Sequence, residues 1–394
     1  MSKIRPAILR AAAAAFVALG LAAGSTRALV TLNDGTDRIY TSGTFTMGYD
    51  SNINASAYDV SDTTMDAVVQ LEYLRRAGMI GVNANISYAI DRFLRNTSYD
   101  TVDPTYSLEF DKASGRTTGS LDFGATRASQ ADAAVNLYTT SWDYNASLNI
   151  RYPVIDRYSF TGTFAYDYVD YTKTSGQPLV NLTTYDSSLS LFYILSDERD
   201  LFVTYRYRDE QCANDTSTVD DALSLGVHGK VLWDINGSLS VGYQILNPRG
   251  VPSAGTAPQG QYGDLTANGS VTWNANRELA FTGSLSRDYS TTPIAATTDT
   301  TAATLDGKYR FDPALSAGAG IGGGEDRFLG PLGLNPGTGE ERLDYYFTWN
   351  TSVNYKFNER LNATLAYAFF ENWSNLGFAV FRRNTVSLAL SSRW

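Results

Sequence analysis

Few residues of this chain could catalyse the making or breaking of a covalent bond. The 394 residues include one histidine, His228, and one cysteine, Cys212. An imidazole can act as a general base beside a serine or a pair of acids, as many hydrolases require. His228 has no Asp or Ser at a recognisable motif spacing, and no metal-ligand cluster, phosphate-binding loop or nucleophile elbow occurs. The sequence therefore predicts no enzyme, no cofactor and no bound metal.

Charged side chains that alternate with apolar ones form the other candidate site. Along each segment they share one face of an extended strand. Acids come first along the chain and bases later: Asp66, Glu72, Asp122, Asp143 and Asp167, then Arg206, Arg208, His228, Lys230, Lys308 and Lys356. We expect this face to line a water-filled lumen, with acids and bases opposed across it. Opposed charges favour dipolar, hydrated solutes. The alternative is that these side chains are solvated and have no selective role.

The elements that must position these residues are strands of about ten residues with a period of two. The first lies near Ile39 to Tyr49, and the clearest alternation is that of Ile80, Val82, Ala84, Ile86, Tyr88 and Ile90 with small or polar residues. We count about 18 strands, with nine long connectors and eight short turns between them. The pattern predicts an all-β fold, a transmembrane antiparallel β-barrel with short periplasmic turns and long extracellular loops. A barrel of this size leaves an aqueous channel.

Connectors differ in composition according to their length. The short turns place Asp or Asn beside a charged residue or Pro, as in Asn276-Arg277-Glu278 and Asn358-Glu359-Arg360, and such side chains bond their own backbone. Asn247 to Asp264 and Glu325 to Leu343 are predicted to be surface loops. Cys212 lies among polar residues, which predicts an incidental thiol in a loop.

The two ends of the sequence support export and barrel closure. Basic residues precede an apolar run: Lys3, Arg5 and Arg10, then Ala11 to Ala23. This arrangement predicts a signal peptide over residues 1–28, cleaved after Gly24 or Ala28, with the barrel over 29–394. At the other end one strand face holds the predicted closure residues, Val386, Leu388, Leu390 and Trp394. They suit a last strand that pairs with the first and ends at the bilayer boundary.

Composition agrees with a membrane barrel. After the predicted signal no run of 18 apolar residues occurs, so helical spans are excluded, while aromatic residues reach 13%. The formal charge of -10 argues against nucleic acid as a partner. Soluble β-propellers and β-helices also repeat, but they do not explain an outward face that is apolar and aromatic with almost no charge. Outer-membrane lipid is the expected neighbour.

Several segments resemble known outer-membrane proteins. Gly48-Tyr49-Asp50-Ser51-Asn52-Ile53, the stretch from Asp66 to Asp91, Tyr166-Asp167-Tyr168 and the stretch from Gly226 to Gly242 are similar to a group of β-barrel porins of Gram-negative bacteria. Ser51 departs from the group, which more often has a second Asp there. The last nine residues resemble the C-terminal strand that the barrel-assembly machinery reads. The resemblance implies a Gram-negative outer-membrane location and a link to exopolysaccharide export.

The expected function is the passage of hydrophilic solutes across the outer membrane, by diffusion or as the exit of an exopolysaccharide export system. Polysaccharide, periplasmic export components and the barrel-assembly machinery are the expected partners. Two alternatives stay open. One is a surface-structural or adhesin barrel without a conducting pore, and the other is a barrel enzyme centred on His228.

Overall fold

A computed structural model describes residues 28–172, 179–249, 260–329 and 340–394. A short strand, β1 (Val30–Leu32), precedes eighteen longer ones. These are β2 (Asp37–Asp50), β3 (Asp62–Arg75), β4 (Gly81–Phe93), β5 (Thr101–Lys112), β6 (Thr118–Asp132), β7 (Leu137–Ile155), β8 (Tyr158–Tyr171), β9 (Leu182–Ser196), β10 (Arg199–Cys212), β11 (Ser217–Leu232), β12 (Ile235–Arg249), β13 (Tyr262–Asn274), β14 (Leu279–Thr291), β15 (Thr297–Arg310), β16 (Leu315–Leu329), β17 (Leu343–Lys356), β18 (Leu361–Ser374) and β19 (Phe381–Arg393). Single 3-10 turns lie at Asn33–Gly35, Thr97–Tyr99 and Gly377–Ala379.

The long strands form a closed barrel. Each pairs antiparallel with the next, and β19 pairs with β2. In that closing pair Leu388 lies opposite Met47, and the backbones of Trp394 and Thr41 exchange hydrogen bonds of 2.8 and 3.0 Å. Closure leaves neither sheet edge unpaired, which a lipid environment requires. The predicted count of 18 strands is therefore confirmed.

The two ends of the barrel differ in their connectors. Eight turns of two to five residues lie at the end where β2 begins and β19 ends. Of the nine connectors at the other end, six have 6 to 13 residues, and three, those after β6, β10 and β14, have only four or five. In barrels of this class the short turns face the periplasm. The two predicted surface loops were drawn too long, because β12 continues to Arg249, β13 begins at Tyr262 and β16 continues to Leu329. The prediction for Cys212 was also wrong, since it ends β10 and is buried.

The outer wall is apolar along most of its height. Large apolar side chains at alternate positions, such as Val69, Leu225 and Trp273, are about half exposed. Water would make such a surface costly, whereas lipid would not. The chain is thus a transmembrane barrel of the kind found in the outer membrane of Gram-negative bacteria.

No helix in the described part of the chain is long and apolar enough to cross a membrane.

Candidate functional site

The candidate site is the inner wall of the barrel together with its outer mouth. On each strand the predicted pore residues alternate with the outward apolar positions, so they share the inner face. Asp122 shows the type of contact found there, because its carboxylate accepts hydrogen bonds from Ser120 (3.0 Å) and Ser147 (3.2 Å). Asp143 accepts one from Ser141 (2.8 Å). Hydroxyls and carboxylates thus make part of this wall polar, and its role in conduction stays a prediction.

The predicted basic residues lie at different heights. Lys308 lines a cavity of about 590 Å³ on the inner wall between β14 and β18, together with Asp306 and Asn350. Lys230 lies beside the β9–β10 turn, where its ammonium is 3.3 Å from the Glu198 carboxylate. Lys356 is the last residue of β17, at the same end. These three cations therefore lie toward the short-turn end, on the arc of the wall from β11 to β17.

Two of the predicted acids, Glu72 and Asp66, lie next to a charged side chain of another strand. Glu72 accepts a hydrogen bond of 2.7 Å from Arg393 on β19. Asp66 lies opposite Asp91 in the pairing of β3 with β4. Asp66 and Asp91 both line a cavity of about 510 Å³ that also borders Tyr138 and Arg383. Asp167 lies opposite Asn145 in the pairing of β7 with β8.

His228 has cross-strand neighbours that its sequence position does not predict. Asp200 lies opposite it on β10 and Ser238 on β12. The carboxylate of Asp200 is 4.0 Å from the Arg151 guanidinium. Within the described ranges no group of three or more His, Cys, Asp or Glu side chains could hold a metal ion. The proposal that this chain is not an enzyme therefore stays a prediction.

The hairpin of β6 and β7 leans into the barrel at the outer end. Pairing of β5 with β6 ends at Thr105 and Thr126, although both strands continue. Beyond that point Arg127 Nη1 donates to the Val102 carbonyl oxygen (2.8 Å), and Ser129 Oγ donates to Asp103 (3.0 Å). By the period of β6, Arg127 and Ser129 belong to the face that would meet lipid. That face instead packs on the inner side of β5.

An aromatic cluster holds the same hairpin. The ring of Tyr138 on β7 lies 6.0 Å from the ring of Phe93 and 5.1 Å from that of Tyr99. Both partners belong to the neighbouring wall, at the end of β4 and in the loop that follows it. Edge-on aromatic contacts of this kind stabilise beyond the area they bury.

The tip of the β6–β7 hairpin is bound from across the mouth. Arg342, just before β17, donates through Nη1 to the Ala134 carbonyl oxygen (2.6 Å) and through Nη2 to that of Ala133 (3.1 Å). Asn136 donates to the Ala55 carbonyl oxygen (2.9 Å) in the β2–β3 loop. At least six strands separate β6 from β17 around the barrel. Contact over that distance crosses the mouth.

A second hairpin, β14–β15, leans inward in the same way. Pairing of β13 with β14 ends at Ala267 and Arg287. Arg287 then binds Asp299 (3.0 Å) and Asp264 on β13. The next residue but one, Tyr289, is 3% exposed and packs with Leu246 of β12 and Leu329 of β16.

Charged contacts join the β14–β15 hairpin to β10. Asp288 accepts bonds from Arg206 (2.7 and 2.8 Å) and from Arg208 (3.2 and 3.3 Å). Thr291 Oγ1 donates to Glu210 (2.5 Å). Three strands, β11 to β13, lie between the partners in the barrel order. The wall is convex outward, so a direct contact over three strands must run across its inner side.

The two hairpins lie eight strands apart in an 18-strand ring and so on nearly opposite sides. Both narrow the outer mouth, above cavities that stay open in the lumen. Sequence reasoning missed this arrangement and the acids that face Arg206 and Arg208, chiefly Asp220, which is 2% exposed. Because these two arginines are paired, they do not contribute free positive charge to a field across the lumen. The signal that could have revealed the hairpins is charge on lipid-facing positions, as at Arg127 and Arg287.

Comparison with known proteins gives no match to a family model or to a curated protein. Solved structures are similar in part. Pseudomonas aeruginosa OpdK with vanillate is 12% identical, with a TM-score of 0.48, covering 90% of this chain and 99% of that one. Pseudomonas aeruginosa OccK9 (OpdG) is 12% identical, with a TM-score of 0.48 and coverages of 91% and 98%. The siderophore receptor PirA of the same species is 9% identical, with a TM-score of 0.48 and coverages of 91% and 80%.

Proposed function

We propose that this protein is an outer-membrane channel for hydrophilic solutes whose outer mouth is narrowed by two inward-leaning hairpins. The observation that carries the proposal is a polar inner wall below that mouth, as in the cavity lined by Asp306, Lys308 and Asn350. A wall of carboxylates, amides and ammonium groups can replace part of the hydration of a polar solute as it passes. The outward apolar belt prevents the same solute from entering lipid.

The finer proposal is that the solute is a secreted polysaccharide and that the barrel is its exit. The resemblance of the first strands to exopolysaccharide-associated porins supports this choice. Periplasmic export components would then dock on the short-turn end. The barrel-assembly machinery would read Val386, Leu388 and Leu390 of β19 and Trp394, which follows it. Removing Trp394 should then lower the yield of assembled barrel in cells more than the yield of refolding in detergent.

Conductance tests the proposal. The chain without residues 1–28 is refolded and inserted in a planar bilayer, and single-channel currents are recorded with and without a neutral polysaccharide in the bath. We expect discrete current steps, and for the finer proposal we expect the glycan to shorten them. If the glycan leaves the current steps unchanged, the channel proposal stands and the proposal that the solute is a polysaccharide is rejected.

A surface-structural barrel is the second candidate, and the narrowed mouth favours it. The contacts of both hairpins, including those of Asp288 with Arg206 and Arg208, would then be permanent. A correctly folded barrel that passes no current at any voltage, even when a substitution removes a contact that holds a hairpin in the mouth, would support this candidate and reject the channel.

A further inference from the structure

We infer that the β14–β15 hairpin is a movable gate, held shut by Asp288 on the two arginines of β10, while the β6–β7 hairpin is a fixed part of the wall. The inference rests on the proposed channel, since it assigns the moving part of the same mouth. Its basis is a difference between the contacts that hold the two hairpins.

The β14–β15 hairpin docks where carboxylates outnumber cations. Arg206 and Arg208 already face Asp220 on the neighbouring strand, at 3.0 and 2.5 Å. Glu210 is 3.8 Å from Arg208, and Asp186 lies opposite Arg208 on β9. When Asp288 docks, two guanidinium groups are shared among four carboxylates. Attraction to the arginines is then opposed by repulsion from the other acids.

Asp288 is also the one carboxylate of this group that can leave. Its side chain is 35% exposed, whereas that of Asp220 is 2% exposed. If the hairpin swings away, the two arginines keep Asp220 and Glu210 as counter-ions. No buried cation is then left unpaired, so the large penalty for breaking a buried ion pair does not arise. The ionic contacts therefore oppose release only weakly. The main cost of release is the exposure of Tyr289 and Leu246, so the docked state is the more populated state of a two-state gate.

The β6–β7 hairpin is held differently. Its tip carbonyls bind Arg342, whose ion-pair partner within the described ranges is Asp344, 4% exposed and 2.6 Å away. Its flank packs through Tyr138 on Phe93 and Tyr99. Releasing either hairpin would expose an aromatic ring, Tyr138 in the β6–β7 hairpin and Tyr289 in the β14–β15 hairpin, so this cost does not separate the two. Release of the β6–β7 hairpin would leave the Arg342 donors to its tip carbonyls unmet, whereas the two arginines of β10 would keep Asp220 and Glu210. The ionic contacts therefore favour a permanent position for β6–β7.

A reversible tether tests the gate directly. The Val180 backbone N–H donates to the Pro293 carbonyl oxygen at the hairpin tip (2.8 Å), which places the two residues close enough for a disulfide. Val180 is fixed to the wall, because the adjacent Asn181 binds the Tyr171 backbone N–H (3.0 Å) and Asp170 (2.7 Å). The pair Val180→Cys and Pro293→Cys, in a Cys212→Ala background, therefore joins the hairpin to the wall when oxidised.

The matched control joins the hairpin only to itself. Ser290 and Thr298 lie opposite each other in β14 and β15, with hydroxyl oxygens 2.8 Å apart. We expect the oxidised tether to lower the open probability about tenfold, equivalent to ~1.4 kcal/mol, and a thiol reductant to restore it. The control pair, Ser290→Cys with Thr298→Cys, should gate normally. Equal open probability in the oxidised and reduced tethered barrels would overturn the gate.

A second readout does not need conduction. Leu246 is 1% exposed and lies behind Tyr289, so the thiol of Leu246→Cys, again with Cys212→Ala, is reached by a maleimide only when the hairpin leaves. Asp288→Ala should speed labelling about tenfold. Asp186→Ala removes a repelling wall carboxylate and should slow it. Folding is checked by heat-modifiable migration on a gel.

The two readouts separate the gate from the channel. Labelling that rises in Asp288→Ala without current in any variant would keep a mobile hairpin and reject the channel. Current in the unmodified barrel together with unchanged labelling in Asp288→Ala would keep the channel and reject this gate. Silence with unchanged labelling would reject both.

Discussion

Arg342 is the residue on which the fixed half of the mouth depends. Its guanidinium binds Asp344, caps two carbonyl groups of the opposite hairpin and lies 4.2 Å from the ring centre of Phe328. Both members of the ion pair are more than nine-tenths buried. Such a pair adds little net stability while intact, but removing one partner leaves the other charge unpaired in a poorly solvated site.

We therefore expect Arg342→Ala to lower the free energy of unfolding by about 3–5 kcal/mol, because Asp344 would stay buried without a cation. Arg382→Ala is the control. Arg382 is 2.6 Å from Glu371 but 72% exposed, so its loss should cost about 0–1 kcal/mol. Urea unfolding of the refolded barrel in lipid vesicles measures both. Similar losses in the two variants would mean that Arg342 is solvated and that the mouth is open there.

Individual turn residues were predictable from sequence because their chemistry is local. In the predicted turns Asn276 and Asn358 each accept two backbone hydrogen bonds, at 2.8 and 2.7 Å and at 2.8 and 2.9 Å. Asp312 accepts two in the same way, at 2.7 and 2.8 Å. These contacts span no more than three residues along the chain. A pattern of that length is visible in a sequence without knowledge of the fold.

At the scale of strands and hairpins, the sequence predicts which residues share a face of a strand, but it does not predict where a strand leaves the barrel wall. A period of two shows which residues share a face, and it fixes the strand count because each strand crosses the membrane once. It does not show where a hairpin leaves the cylinder. Beyond Thr126 on β6 and from Arg287 on β14 the same alternation continues, yet the face that should meet lipid rests on protein. Only the polar character of Arg127, Arg287 and Asp299 marks the change.

Packing between adjacent strands also depends on single positions on the inner wall. Gly226 on β11 leaves room for the ring of Phe202 on β10. A Cβ atom there would lie 2.2 Å from the Phe202 ring and 2.6 Å from the Leu239 carbonyl oxygen. The strands can approach only because the glycine has no side chain.

Gly226→Val should destabilise the barrel by ~1–3 kcal/mol, because Phe202 must leave its rotamer and β12 must shift. Gly162→Val is the matched control, since a Cβ at Gly162 meets nothing within 4 Å. Urea midpoints of the two variants against the unchanged chain give the comparison. If the control loses as much, the cost would come from valine itself and not from the contact of β10 with β11.

At the scale of the whole molecule, the fold separates two environments across a single layer of backbone. Neighbouring residues of one strand face lipid and water in turn, so stability and conduction are sensitive to different residues only one position apart. The charges collected at the outer mouth are consistent with this division, because most lie on the inner side or at the strand ends. A charge in the middle of the outer face has neither water nor a counter-ion.

Leu225 and Ser224, in the middle of β11, test that division with one and the same new charge. Leu225 is 62% exposed on the outer face, and Ser224 lies on the inner face opposite Thr204. Leu225→Arg should cost about 2–4 kcal/mol, the price of an arginine near the bilayer midplane. Ser224→Arg should keep its stability within ~1 kcal/mol, because water solvates the guanidinium, and should shift the reversal potential toward anion selectivity. Equal losses of stability in the two variants would contradict the assignment of Leu225 to the lipid face and Ser224 to the lumen. If the Ser224→Arg barrel is stable but its reversal potential is unchanged, the ions do not pass near β11.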